Sequence, residues 1–441
     1  MGKMSVKIVS GLCTAVLLML SGLSAAGAAD HPAKPEQAAV RAAVPTQAMD
    51  RVRLQWPMVP GAVKYRLVVL RSAEDTLNNI QLSVGDAYIN GYELDTSSWG
   101  VAKTGYYWKV CPLDYDGRSI GPYTKPQPLS SGTINPQAPQ PTTEFDKMAY
   151  APLYPVYSWI PVQGAASYDV EVYRQKKLAA GADQLIRSLT TDTASLYDDA
   201  GYTWAGIYYW RVRARAADGS IMGSWSAPSG FEVTAPVKVA ALGDSITHGG
   251  GAVSVPPGCL MYDWESYSQV PVKNLGYSGN TVEDMDERFE RDVLPFSPKV
   301  LVIMGGVNNY RQGDSAWHII HMLAVMRDKC NAYGIIPVFA TVTPIQPERM
   351  AQLDTIEAPA EGWLLQQQRL NEWLRSQPYA VDITPALTNN EGCLRAELTT
   401  DGLHPDQQGK RIIGETISRY LLQKFPYMDL LPAGQGKSTA K

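Results

Sequence analysis

Cysteine and charge are both scarce in this sequence. Only five of its 441 residues are cysteine and none forms a C-x-x-C pair, which argues against a structural zinc site. Charged residues make up 19% of the chain, the formal net charge is -4, and no run of five or six like charges occurs. Without a basic surplus, we expect no binding to nucleic acid.

The long apolar stretch near the N-terminus is typical of a secretory signal peptide. Lys3 and Lys7 precede the run IVSGLCTAVLLMLSGL, and the small residues SAAGAAD follow it. A positive start, a short apolar core and an A-x-A-like end predict a leader over residues 1–29, cleaved after Ala28 or Ala29. The alternative is a membrane anchor, against which the short run argues. We therefore expect a secreted or cell-envelope protein, extracellular or periplasmic, with no stable membrane span after cleavage.

Four cysteines remain after removal of the leader. Cys259 and Cys393 both lie in loop-like sequence, and in an exported protein they bridge if their loops meet over one site. The alternative is that they are separate buried thiols.

A repeat occupies the next part of the chain. The stretch LQWPMVPGAVKYRLVV at 54–69 matches YSWIPVQGAASYDVEV at 157–172, and GYYWKV at 105–110 matches IYYWRV at 207–212. Each copy alternates apolar and polar residues over short segments punctuated by Gly, Pro and Asp-Gly, which predicts antiparallel strands. The pattern indicates a duplicated domain rather than a solenoid.

The repeated W-x-x-V-x-G-A-x-x-Y and Y-Y-W-x-V motifs resemble fibronectin type III-like modules of extracellular bacterial proteins. The resemblance covers 50–134 and 150–235 and implies two all-β, Ig-like sandwiches. It says little about function. Residues 30–49 read as a flexible lead-in, and the Pro-rich segment 135–149 as a semi-rigid linker.

From residue 236 onward, apolar strand-like runs alternate with helix-period segments. VKVAAL, QVPVKNL, KVLVIM and IPVFAT are the strand-like runs. This alternation over 236–426 predicts an α/β/α three-layer domain with a parallel sheet, followed by a flexible tail at 427–441. In such sheets, functional residues gather at the carboxyl ends of the strands.

A serine and a histidine are candidates for the functional residues that this rule predicts. Ser245 follows the first strand, and Asp401 and His404 lie just before the last helix. A spacing of three lets the carboxylate fix the tautomer of the imidazole, which can then take the serine proton. Glycine- and asparagine-containing turns follow the next two strands. With the Ser245 N–H, they offer three donors for an oxyanion hole.

These motifs together resemble those of the SGNH hydrolases, also called the GDSL esterase/lipase family. The resemblance covers 236–426 and lies in four ordered blocks: G-D-S at 243–245, S-G-N at 278–280, G-V-N-N at 306–309 and D-G-L-H-P at 401–405.

The resemblance implies a role for each matching residue. Ser245 is the nucleophile, His404 the general base and Asp401 the group that orients it. Gly279 and Asn308 join the Ser245 backbone in the oxyanion hole.

Five further residues complete the site predictions. Asn309 stands where the family usually has Asp, so any charge at that position is lost. Asp244, His248 and Asn309 are candidates for lining the pocket. His318 and His321 share a helix face, but no carboxylate stands at matching spacing. We predict no metal and no organic cofactor.

The implied reaction is hydrolysis of a carboxylic ester through an acyl-serine intermediate. Export, β-sandwich modules and the long polar connection 344–363 favour removal of acetyl or other short acyl groups from a glycan. A lysophospholipase or thioesterase-like lipid hydrolase is the enzymatic alternative. A third possibility is a surface-binding protein whose modules contact polysaccharide, protein or the cell surface.

Overall fold

The computed structural model of this protein describes residues 49–100, 105–176, 183–251, 255–353 and 356–431. The predicted leader, nearly all of the lead-in and most of the tail lie outside these residues. Within them, no helix has the length and apolar character needed to cross a membrane.

The first copy of the repeat forms two antiparallel sheets around one core. One sheet has the strand order β4-β1-β7 and the other β3-β2-β5-β6. Leu54 of the first sheet and Leu67 and Trp108 of the second belong to the same buried cluster. The strands are β1 (Arg51–Gln55), β2 (Lys64–Leu70), β3 (Ile80–Ala87), β4 (Gly91–Asp95), β5 (Tyr107–Leu113), β6 (Gln127–Pro128) and β7 (Thr133–Ile134).

The second copy also forms two antiparallel sheets. One has the order β12-β9-β8; in the other, β11-β10-β13-β14, strand β15 also pairs with β13. Burial alternates along β10 and β13, as the period-two pattern predicts. The strands are β8 (Gln140–Pro141), β9 (Val156–Ile160), β10 (Ser167–Arg174), β11 (Gln184–Thr191), β12 (Ser195–Tyr197), β13 (Gly206–Arg215), β14 (Ile221–Met222) and β15 (Ser229–Val233).

The repeated tyrosine accepts the same backbone hydrogen bond in both copies. Tyr65 accepts a hydrogen bond from the backbone N–H of Val59 at 2.8 Å, and Tyr168 accepts one from Val162 at 2.9 Å. Both tyrosines are buried, as are the repeated tryptophans. The shared motif therefore serves packing. Its presence in both copies follows from their shared fold and does not indicate a ligand.

The predicted parallel sheet in the C-terminal region is confirmed. Its order is β17-β16-β18-β19-β20, and every neighbouring pair is parallel. Strands β16, β17 and β18 are buried along their whole length. Strands β16 and β18 therefore read as continuous apolar runs, whereas β17 buries Lys273 and Asn274. The strands are β16 (Val239–Gly243), β17 (Val272–Gly276), β18 (Val300–Met304), β19 (Ile336–Ala340) and β20 (Ala380–Val381).

Helices connect these strands, and α8 follows the last of them. They are α1 (Ser245–His248), α2 (Val282–Glu287), α3 (Phe289–Val293), α4 (Val307–Gln312), α5 (Ala316–Ala332), α6 (Pro347–Met350), α7 (Trp363–Arg375) and α8 (Gln407–Lys424). Strand β16 lies between β17 and β18, and the last residue of β16, Gly243, is level with Gly276 and Met304. The turns after these three strands therefore meet at one edge of the sheet, where the order of strands reverses.

The disulfide between Cys259 and Cys393 that the sequence suggested is absent. Cys111, Cys259, Cys330 and Cys393, each of which the structure describes, are free thiols. Cys259 lies 3.5 Å from the sulfur of Met58, in the first copy of the repeat, and Cys393 lies in a turn closed on Asn389. The bridging hypothesis was wrong because the two loops carry their thiols to different neighbours.

Candidate active site

Ser245 is placed by a buried strand and a capped turn. Asp244 ends the extended chain and accepts a hydrogen bond from the N–H of Ile246 at 2.9 Å, so that α1 begins at Ser245. Gly243 is needed for space, because a Cβ there would collide with the Thr247 side chain and the carbonyl of Met304. The serine therefore stands half-buried at the carboxyl edge of the sheet.

His404 joins Ser245 to Asp401 in a continuous chain of hydrogen bonds. The Nε2 atom of His404 is 2.9 Å from Ser245 Oγ, and its Nδ1 atom is 2.7 Å from Asp401 Oδ2. An ionised carboxylate can only accept, so Nδ1 carries the proton and Nε2 accepts from the serine hydroxyl. This is the arrangement in which an imidazole activates a serine nucleophile.

Asp401 is held as an anion although it is buried. Burial by itself raises its pKa, but the charge and hydrogen bonds of His404 and the backbone N–H of Leu403 outweigh burial and lower it. Its Oδ1 atom accepts the N–H groups of Leu403 at 2.9 Å and His404 at 2.7 Å. Both carboxylate oxygens are thus committed, which fixes the orientation of the imidazole.

The predicted oxyanion residues follow the neighbouring strands. Gly279 is exposed and has a φ of 86°, a conformation that glycine adopts without strain. Asn308 is buried, and its Nδ2 atom donates to the carbonyl of Asn280 at 2.9 Å. A side-chain amide has two N–H groups, so this bond fixes one and leaves the other as a donor.

Asn309, the departure from the family pattern, bridges two acidic groups. Its Oδ1 atom accepts the N–H of Val282, while its Nδ2 atom donates to Glu283 and Asp314, each bond 2.9 Å long. An aspartate here would keep the first bond and place a third carboxylate beside the other two. The asparagine therefore fits its own surroundings and anchors the start of α2.

The structure places Asp244, His248 and Asn309, the three candidates for lining the pocket, in the interior. All three side chains are buried and hydrogen-bonded inside the protein. Burial raises the pKa of Asp244 to about 6. Burial lowers the pKa of His248 to about 4, with Arg288 and Lys410 adding positive charge nearby. His248 is therefore a neutral structural residue at ordinary pH.

We expect His248 to make folding sensitive to acid. Because its pKa is 6.5 when unfolded and about 4 when folded, the unfolded chain binds more protons between these values. Stability therefore falls as the pH drops from 6.5 to 4, by about 3 kcal/mol at the acid end. Denaturant unfolding of wild type and His248→Gln across this range measures the effect. Asp244 titrates in both proteins, so the difference between the two curves isolates His248, and a pH-independent difference would refute the assignment.

The two histidines of α5 form no metal site. His318 pairs with Glu283, and His321 stacks on Trp317. Nowhere in the described part of the chain do three or more potential metal ligands cluster.

Two buried cations that the sequence did not single out support the site. Lys410 of α8 donates to the carbonyl of Ile246 at 2.7 Å, and burial lowers its pKa to about 8. Arg288 donates to the carbonyl of Gly243 at 2.9 Å and to Asn280 Oδ1 at 2.6 Å. Both lie in segments with ordinary helical periodicity, so only their burial in the folded structure shows that they support the site.

The fold and this site define a class, a hydrolase that acts on esters. Residues 241–412 match the GDSL-like Lipase/Acylhydrolase family, and this segment is a domain of that family. No curated protein matches the chain significantly.

Solved structures are similar over the same part of the chain. A lipase/acylhydrolase from Enterococcus faecalis is 23% identical over 43% of this chain and 96% of its own, with a TM-score of 0.35. A GDSL-like lipase from Bacteroides thetaiotaomicron is 20% identical over 44% and 93%, with a TM-score of 0.34. An acetylxylan esterase from Geobacillus stearothermophilus is 22% identical over 43% and 95%, with a TM-score of 0.31.

Proposed function

We propose that this protein is a serine esterase that removes acetyl or other short acyl groups from a carbohydrate. The observation that carries the proposal is the hydrogen-bonded chain from Ser245 through His404 to Asp401. The turn that carries the exposed Gly279 is joined to the strand before Ser245 by a hydrogen bond from the N–H of Tyr277 to the carbonyl of Gly243, 3.1 Å long. A substrate carbonyl can approach this turn.

Acylation begins when Ser245 Oγ attacks the carbonyl carbon and its proton passes to His404 Nε2. The N–H groups of Ser245 and Gly279 and the amide of Asn308 stabilise the oxyanion that forms. The carbon–oxygen bond to the alcohol then breaks, and the imidazolium returns its proton to the leaving oxygen.

Deacylation repeats these steps with water. His404 takes a proton from the water as it attacks the acyl carbon, and Ser245 leaves with that proton. Asp401 stays ionised throughout and stabilises the imidazolium that forms in both halves. A carboxylic acid is released and the free serine is restored.

An aromatic side chain of the second copy of the repeat supports a carbohydrate substrate. Tyr197, at the end of β12, is 51% exposed, and its ring lies 6.1 Å from that of His248. His248 is hydrogen-bonded to Ser278, the neighbour of Gly279. An exposed aromatic face so close to the oxyanion turn suits the apolar face of a sugar ring.

We also propose that the chain is exported and that its two repeat copies are fibronectin type III-like modules. The N-terminal sequence supports export, and the paired antiparallel sheets with a repeated tyrosine contact support the modules. Contact with polysaccharide or a cell surface through these modules belongs to the same proposal.

Product analysis tests the function. Purified protein is assayed for acetate release from acetylated xylo-oligosaccharides, for fatty-acid release from lysophospholipid, and for turnover of p-nitrophenyl esters of increasing acyl length. A fluorophosphonate probe should add its mass to the peptide that contains Ser245. We expect acetate release and a preference for short chains. Faster lysolipid cleavage would favour the lipid hydrolase, and the absence of Ser245-dependent turnover of any ester would favour the surface-binding protein.

Replacing Tyr197 with alanine is expected to raise KM for an acetylated oligosaccharide about 5- to 10-fold, because a stacking contact contributes about 1 kcal/mol. Turnover of p-nitrophenyl acetate should stay unchanged, since that substrate carries no sugar. Tyr427→Ala is the matched control. Tyr427 is also exposed but lies beyond the far end of α8 from His404. Equal effects of Tyr197→Ala on both substrates would contradict the stacking role.

A further inference from the structure

A short segment ahead of β9 in the second copy of the repeat lies along the hydrolase sheet. Strand β17 is the edge of that sheet, and the N–H of Leu153 donates to the carbonyl of its Asn274 at 2.9 Å. The buried Lys273 donates to the carbonyl of Ala151 at 2.6 Å. From the other side, the N–H of Tyr202 donates to Leu153 at 3.0 Å. The segment 151–154 thus covers a sheet edge that would otherwise be open.

The backbone of Tyr154 is coupled to the oxyanion turn through His248. The N–H of Ser278 donates to His248 Nδ1 at 3.2 Å, so Nδ1 is an acceptor and the ring proton is on Nε2. That Nε2 donates to the carbonyl of Tyr154 at 2.7 Å. Ser278 immediately precedes Gly279, so one imidazole joins the segment to an oxyanion donor.

The side chain of Tyr154 reaches the same turn by a second route. Its hydroxyl donates to Asp292 Oδ2 at 2.6 Å, and that oxygen also accepts from Arg288 at 3.0 Å. Arg288 in turn donates to Asn280 Oδ1 at 2.6 Å. Asn280 offers its carbonyl to Asn308, the remaining predicted oxyanion donor.

The ring of Tyr154 also contacts the turn directly. It packs edge to face on Tyr277, with 4.7 Å between the ring centroids. Tyr154 and Asp292 are both buried, so their hydrogen bond is shielded from water and constrains both partners. The turn 277–280 belongs to the hydrolase domain. Tyr154, which belongs to the second copy of the repeat, therefore holds the base of this turn.

We propose that Tyr154 is a positioning residue that holds the oxyanion turn, which makes the second copy of the repeat a structural part of the catalytic unit. The catalytic consequence rests on the proposed esterase function. The constraint on the turn does not.

The test compares Tyr154→Phe with Tyr202→Phe in the full-length protein. Each substitution removes one hydroxyl that donates to a buried aspartate, Asp292 at 2.6 Å and Asp198 at 2.7 Å. Only the first aspartate connects to the oxyanion turn. The loss of a single hydroxyl keeps the shape of each ring, so both variants are expected to fold.

Two measurements decide the outcome. We expect hydrogen exchange of the peptide that covers 276–281 to accelerate in Tyr154→Phe and not in Tyr202→Phe. On p-nitrophenyl acetate, kcat should fall about tenfold for Tyr154→Phe with little change in KM, because the oxyanion donors lose alignment. Tyr202→Phe should retain wild-type kcat.

Unchanged exchange at 276–281 in Tyr154→Phe, or equal effects of the two variants on exchange and kcat, would overturn the proposal. If wild type turns over no ester, the proposed function fails. The exchange comparison still decides whether Tyr154 holds the turn.

Discussion

Replacing Ser245 with alanine is expected to reduce kcat/KM for p-nitrophenyl acetate by about 10⁴-fold or more. The hydroxyl is hydrogen-bonded to His404 at 2.9 Å, and without it no acyl-enzyme can form. The residual rate would come from the oxyanion donors and from substrate binding alone. Initial rates over a range of substrate concentrations measure the loss.

The double variant Ser245→Ala/His404→Ala is the internal control. Because the two side chains act as one unit, the double variant should be about as slow as Ser245→Ala alone. Unfolding midpoints should remain close to wild type, since Ser245 is half-buried and its side chain is small. A Ser245→Ala protein that keeps a tenth of wild-type activity would refute the nucleophile assignment.

Replacing Asp401 with asparagine is expected to lower kcat by about 10³- to 10⁴-fold while the loop keeps its shape. The asparagine Oδ1 atom can still accept the N–H groups of Leu403 and His404. Its amide nitrogen would then face His404 Nδ1 and donate to it, which forces the ring proton onto Nε2. An imidazole in that tautomer cannot accept the proton of Ser245.

Asp406→Asn is the matched control for this charge change. Asp406 caps α8 by accepting from Gln408 and Gly409, and no bond joins it to His404. An asparagine caps a helix nearly as well, so both stability and kcat should stay near wild type. Similar losses of activity in the two variants would show that net charge, rather than the tautomer of His404, is responsible.

The catalytic candidates could be predicted from sequence because each lies in a local pattern. The buried strand β16 ends two residues before Ser245. Asp401 and His404 share one turn, so backbone hydrogen bonds within that turn already orient the carboxylate. The parallel sheet was predictable for the same reason, because strands buried on both faces appear as unbroken apolar runs.

Residues that act across the fold could not be predicted in this way. Arg288 lies between α2 and α3 in a polar helical segment, and no local pattern predicts that its guanidinium turns inward to Gly243 and Asn280. His248 follows the nucleophile by three residues, which suggested a pocket. Its ring instead points to Tyr154, far away in sequence.

The sequence by itself determined where the strands lie, that two copies of one motif precede the hydrolase domain, and which serine, histidine and aspartate can cooperate. The strands and the repeat depend on apolar periodicity and short motifs, which are local properties, and Asp401 and His404 lie within one turn. The pairing of Ser245 with His404, 159 residues away, was predicted from the four ordered blocks that resemble the family. The tertiary structure alone decided that Cys259 and Cys393 stay apart, that Asn309 bridges two carboxylates, and that Tyr154 is hydrogen-bonded to both His248 and Asp292. Those contacts join residues distant along the chain, and their partners are set by how the domains pack.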